Sequence, residues 1–177
     1  MFIMFLTLIL SLMAESECPE LTGRVVKKNE QGYDKDRLVS NYYTSKDKYP
    51  AVVVYAQNAN DVKNAVLWAR CNKIPIRIRS GGHNHEAYST GTGVIVIDVS
   101  EMKSLQTDKE KGIVKLGPGL TNLELYSELY KKGLTHVGGT CSDVGISGLV
   151  LTGGIGPLVR RVGLTCDTLI SFDMVDA

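Results

Sequence analysis

The sequence predicts one α+β domain in which helices are interleaved with short strands. Two observations carry that reading. Apolar, β-branched runs of strand length alternate with segments whose apolar residues recur at helical spacing. Glycine is also concentrated in one half: 16 of the 18 glycines lie between Gly81 and Gly163, and nine of those between Gly133 and Gly163. Glycine belongs where the backbone needs a positive φ or must approach something closely, so this half is expected to wrap a ligand. At 177 residues, 44% hydrophobic and 22% charged, the chain can bury a core, which excludes disordered and low-complexity classes. A net charge of +1 leaves no electrostatic footprint for nucleic acid or acidic membranes.

Residues Met1–Ala14 are apolar apart from Thr7 and Ser11, and no charge precedes Glu15. The run is too short to span a bilayer, which takes roughly 20 residues, and Ala14 and Ser16 have the spacing of a signal-peptidase site. Residues 1–16 are therefore expected to be a secretory signal, followed by a lead-in over 17–48. The chain should then be secreted, with no stable membrane span and no nucleic-acid partner. None of the four cysteines, Cys18, Cys71, Cys141 and Cys166, has zinc-site or CxxC spacing, so no metal is expected. In an oxidising compartment Cys18 and Cys71 could form a disulfide that ties the terminus to a helix end, although sequence alone does not establish the pairing.

Ala51–Tyr55 reads as the first strand. Asn58–Asp61 caps a helix over Val62–Cys71 whose apolar face is Val62, Ala65, Val66 and Ala69. Ile74–Ile78, Gly93–Val99 and Gly112–Leu116 read as further strands. Asn122–Lys132 is a helix stopped by Gly133, with Leu123, Tyr126, Leu129 and Tyr130 as its expected apolar face. Leu169–Val175 is a last strand candidate, and Cys166 is expected in the core. No internal repeat, linker or low-complexity tract interrupts the chain.

Two stretches could carry chemistry. Arg79-Ser80-Gly81-Gly82-His83 follows a strand, and its paired glycines allow successive backbone N–H groups to line an anion-binding concavity. Arg79 and Ser80 would add a charge and a hydroxyl, and His83 would stand beside the bound anion. The competing reading is a plain tight turn. The spacing is neither that of a P-loop nor G-x-G-x-x-G. The second stretch, Gly138–Gly156, offers Gly139, Gly145, Gly148, Gly153 and Gly154 as approachable backbone, with Cys141 near its start. Cys141 is either a small buried apolar group or a thiol that reaches an electrophilic cofactor. A Cys/His hydrolase pairing Cys141 with His83 or His136 would leave both glycine-rich stretches unexplained.

Taken in order, YPAVVVYAQNANDVKNAVLWARCNKIPIRIRSGGHNHEAYS, GVIVIDVSEMKSL and GGTCSDVGISGLVLTGGIGPLVRRVGLTCDTLISFDMVDA resemble the berberine bridge enzyme-like branch of the FAD-linked oxidases, of the vanillyl-alcohol oxidase/p-cresol methylhydroxylase superfamily. The resemblance implies a p-cresol methylhydroxylase-type FAD-binding domain of two α+β subdomains over 49–177, incomplete at its C-terminal end and without the substrate domain. It implies FAD held by Arg79, Ser80, Gly81, Gly82, His83, Asn84, Gly139, Thr140, Cys141, Val144, Gly145, Gly148, Gly153 and Gly154. His83 matches the histidine bonded to the flavin 8α-methyl group, and Cys141 the cysteine bonded at C6. Val144 stands where valine is associated with O2 access, which favours an oxidase.

The resemblance also implies a Cys18–Cys71 pair, and a reaction in which hydride passes from substrate to flavin N5 and O2 reoxidises the flavin. Sugars, alcohols and alkaloids are the substrate classes of the family. The catalytic base would lie outside these residues, so the chain alone is either part of an oxidoreductase or a non-catalytic FAD-binding module. Three positions depart from the family pattern. His85 replaces a frequent tyrosine, while Ser147 and Thr152 replace glycines, which requires negative φ at both.

Overall fold

The computed structural model describes residues 18–176. The expected signal, residues 1–16, lies outside the described residues. The first subdomain is a four-stranded sheet in the order β1-β2-β4-β3, built from β1 (Arg24–Lys27), β2 (Val52–Tyr55), β3 (Ile76–Arg79) and β4 (Ile95–Asp98). β2, β4 and β3 run parallel, and β1 is antiparallel to β2. Every residue of β2 and β4 is buried, which explains why both read as unbroken apolar runs instead of alternating.

The side-chain period of two divides those runs between two cores. Val52, Val54, Ile95 and Ile97 face Ala65, Val66 and Ala69 of α3 (Ala59–Cys71). Val53, Tyr55 and Val96 face the other way, against Val26 and Tyr33, the latter on the short helix α1 (Tyr33–Asp36). Asn58 caps α3 by accepting from the N–H groups of Asn60 and Asp61, at 2.9 and 3.1 Å. The lead-in is thus an integral layer of this subdomain. It adds β1 to the sheet, and α2 (Tyr42–Ser45) follows α1 within it.

The disulfide joins Cys18 to Cys71, with Cα atoms 5.7 Å apart. It pins the start of the described chain to the end of α3.

The second subdomain opens with an antiparallel pair, β5 (Leu105–Asp108) and β6 (Ile113–Leu116). It continues through α4 (Asn122–Tyr130), α5 (Ile146–Leu151), α6 (Val159–Val162) and a 3-10 helix over Thr165–Thr168. Its core joins Leu120, Leu125, Leu129 and Ile146 to Leu105, Val114, Leu116 and Leu134. Thr121 and Glu124 form a reciprocal capping box at the start of α4.

Three expectations fail here. The buried stripe of α4 is Asn122, Leu125 and Leu129, whereas Leu123 and Tyr130 are 57% and 83% exposed. The stripe is set by contact with β5, β6 and α5 and lies one residue round the helix from the face expected. Leu169–Val175 is not a strand, and among the described residues no strand pairs with it. Cys166 is half-exposed, and the buried residue of the 3-10 helix is Thr165.

Candidate functional site

The first glycine-rich turn leaves the sheet at the C-terminal ends of β3 and β4. Arg79 and Asp98, register partners there, form a buried ion pair. Arg79 Nη2 also donates to the Tyr55 hydroxyl at 3.2 Å, and its Nη1 donates to the Leu38 carbonyl at 3.2 Å. Tyr55 is itself the register partner of Asp98 on β2, so three strand ends are tied by one polar cluster. Burial pushes the Tyr55 phenol up, and Arg79 opposes that shift. Arg79 was expected to contribute charge to an anion site. Its guanidinium is instead consumed inside the protein, since a buried Asp98 requires it.

Ser80 is committed as well, donating to the Pro118 carbonyl at 2.8 Å. Asn84 accepts from the Tyr88 N–H at 3.0 Å, and this side chain ties its own loop. What remains available in the first turn is backbone and His83. The Gly81 and Gly82 carbonyls accept from the Ser40 hydroxyl and N–H, at 3.4 and 3.3 Å. A trans peptide points its C=O and the following N–H in opposite directions. The N–H groups of Gly82 and His83 are therefore turned away from the lead-in, and among the described residues no acceptor takes them. Gly82 sits at φ 68°, which an L-residue adopts only with strain.

The second stretch is oriented by the same logic. Carbonyls of Gly139, Cys141, Ser142 and Val144 accept from Tyr126 Oη, Asn122 Nδ2, Leu123 N and Asn122 N, at 3.2, 2.9, 2.9 and 3.0 Å. With those carbonyls turned to α4, the following N–H groups of Thr140, Ser142 and Asp143 point away from it, whereas the buried Gly145 nitrogen packs against Gly81. Thr140 and Ser142 donate to no acceptor among the described residues.

The two turns are in direct contact. A methyl group added at Gly81 would stand closer than 3.0 Å to the Gly145 nitrogen, and one at Gly145 closer than 3.0 Å to Ser80 Oγ and the Gly81 nitrogen. Only residues without a Cβ allow this approach.

Gly153 and Gly154, at φ 105° and 78°, serve the protein itself: their carbonyls accept from Cys166 and Thr165 at 2.8 and 2.9 Å. Thr152 has φ −112° and Ser147 lies within α5, so both replacements meet the requirement for negative φ. Gly148 is different again, because a Cβ there would meet nothing within 4 Å. Neither packing nor φ demands that glycine, and the space over it is open.

His83 and Cys141 bracket this contact. His83 Nε2 is buried and lies 3.0 Å from Asp143 Oδ2, off the N–H direction a hydrogen bond needs. Cys141 is a free, exposed thiol. Its Sγ makes no hydrogen bond to His83 or His136 among the described residues, so the nucleophile–base pair of a hydrolase is not assembled. His136 packs on the Tyr126 ring, 5.1 Å between centroids, and burial holds its imidazole below the usual range. Val144 is half-buried beside Gly145, Thr140 is exposed and Gly139 is buried. Among the described residues no His/Cys/Asp/Glu group could hold a metal ion. None of their helices is long and apolar enough to cross a membrane.

Backbone donors without a protein acceptor on two interlocked glycine turns stand near a shielded imidazole nitrogen and an open thiol, an arrangement that suits an anionic ligand. A family model described as FAD binding domain matches residues 50–177. The chain is 41% identical over 161 residues to the uncharacterized FAD-linked oxidoreductase YgaK of Bacillus subtilis, covering 91% of this chain and 35% of that protein. It is 32% identical over 158 residues to (R)-6-hydroxynicotine oxidase of Paenarthrobacter nicotinovorans, covering 89% of this chain and 34% of the relative. The solved structure of Physcomitrella patens BBE-like 1 superposes with a TM-score of 0.79 at 31% identity, over 83% of this chain and 32% of that one. The chain belongs to the berberine bridge enzyme-like FAD-linked oxidoreductases, and it spans about a third of the length of the relatives it matches.

Proposed function

We propose that the chain is the FAD-binding part of a secreted oxidase that carries its flavin covalently on His83 and Cys141. The single observation that carries this reading is the placement of these two side chains. A shielded imidazole with no aligned hydrogen bond and an accessible free thiol flank two turns whose backbone donors have no protein acceptor. Such donors suit a pyrophosphate. Gly81, Gly82, Gly139, Thr140, Gly145 and Gly148 would cradle the dinucleotide through backbone. Arg79, Ser80, Asn84, Gly153 and Gly154 would shape the turns that present it.

FAD, when bound, supplies the acceptor for a substrate hydride and passes the electron pair to O2, so the protein's share is positioning and electronic tuning. The half-buried Val144 beside the thiol-bearing turn supports access of O2, and one relative is by name an oxidase. Sugars, alcohols and alkaloids are the proposed substrate classes. The apolar Met1–Ala14 run and the Cys18–Cys71 disulfide support an extracytoplasmic location.

The test is acid precipitation of the purified chain. A yellow, fluorescent pellet is the expected result, and a colourless pellet from folded protein removes the covalent reading. A second reading is a non-catalytic FAD-binding module. Turnover with a substrate panel separates the two.

A further inference from the structure

One group at the site has no part in the reading above. Asp143 follows Cys141 by two residues, and its Oδ2 lies 3.0 Å from His83 Nε2. Its backbone is fixed on both sides, because Ser142 and Val144 carbonyls accept from the first turn of α4 at 2.9 and 3.0 Å. The Asp143 carbonyl also packs on Gly81, where an added methyl group would stand 3.0 Å away. No Lys or Arg lies within ion-pair distance of the carboxylate among the described residues. Its own N–H, and then His83, hold the carboxyl below the usual carboxylate range.

We propose that Asp143 is the positioning residue for flavin attachment at His83: its carboxylate, 3.0 Å from Nε2 and brought into line by rotation of the exposed Asp143 side chain, draws the proton to Nε2 and leaves the Nδ1 lone pair to form the bond. This rests on the reading that His83 carries the flavin. In a neutral imidazole one nitrogen carries the proton and the other a lone pair, and the partner of the first decides which is which. Attachment forms one N–C bond from Nδ1 to the 8α carbon and breaks one C–H bond there. The methyl proton leaves to solvent, the electron pair of the broken bond enters the isoalloxazine, and dioxygen takes that pair with two protons from solvent to give hydrogen peroxide. The alkylated ring keeps its Nε2 proton and gains a positive charge, which the Asp143 carboxylate faces and offsets.

Two measurements test this on the full chain. In flavin-free protein, nitrogen-15 NMR should show His83 as a single Nε2–H tautomer, and Asp143→Ala should convert it to a mixture. When flavin-free chain is mixed with FAD in air and followed by intact mass, Asp143→Ala should slow attachment at His83 by roughly tenfold or more. Asp143→Glu should recover part of the rate, and peptide analysis should locate the parent's linkage on Nδ1. An unchanged tautomer and rate in Asp143→Ala, or a parent linkage through Nε2, overturns the proposal. A parent that attaches no flavin at His83 while showing the single tautomer overturns the attachment reading, and with it this role of Asp143.

Discussion

Gly81 and Gly145 pack backbone against backbone, which makes the two glycine-rich turns one interlocked structure. Gly81→Ala and Gly145→Ala should each destabilise the chain by about 1–3 kcal/mol in urea unfolding, as overpacking does. Gly148→Ala, with nothing within 4 Å of its Cβ, should instead stabilise helix α5 by about 0.5–1 kcal/mol. It should nevertheless weaken FAD retention, which equilibrium dialysis would read. Equal destabilisation by all three would mean that Gly148 is also a packing residue.

Arg79→Ala removes the partner of a buried carboxylate. The expected cost is about 3–5 kcal/mol, because Asp98 is left uncompensated between β2 and β3. That loss should be present in flavin-free protein. If it appeared only with FAD bound, Arg79 would be a ligand group.

The Cys18–Cys71 disulfide closes a separation of 53 residues. Cys71→Ser, or reduction of the parent, should lower stability by about 2–5 kcal/mol. Thermal unfolding with and without reductant checks this, and a reductant-insensitive melting temperature would show that the bond is not formed.

His136 gives the chain a pH dependence. Burial holds its folded value below the ordinary histidine value of 6.5, so between those two values the unfolded chain binds more protons. The contribution is fully present above 6.5 and is lost as pH falls towards the folded value. Urea midpoints of the parent should drop between pH 7 and pH 5, and His136→Phe should drop less. Parallel curves for the two would remove His136 as the cause.

Elements whose signal is local were legible in the sequence. β2, α3 and β4 have continuous or helical-period apolar residues, and the folded chain places them within a few residues of expectation. β1 (RVVK) and β5 (LQTD) carry too few apolar residues to announce themselves, since pairing with β2 and β6 makes them strands. The face of α4 depended on which neighbours would meet it. At the site, glycine spacing located the turns. The roles of Arg79 and Ser80 could not be read, because Asp98 and Pro118 are 19 and 38 residues away in sequence. Asp143 went unnoticed for the same reason: its relation to His83 exists only once the turns interlock.

The central claim, flavin bound through His83 and Cys141, is tested most directly by the denatured mass of the full chain and three variants. Parent, His83→Ala and Cys141→Ser should each retain the mass of one FAD, and the double variant should retain none. A parent without added mass, or a double variant that keeps it, contradicts the account.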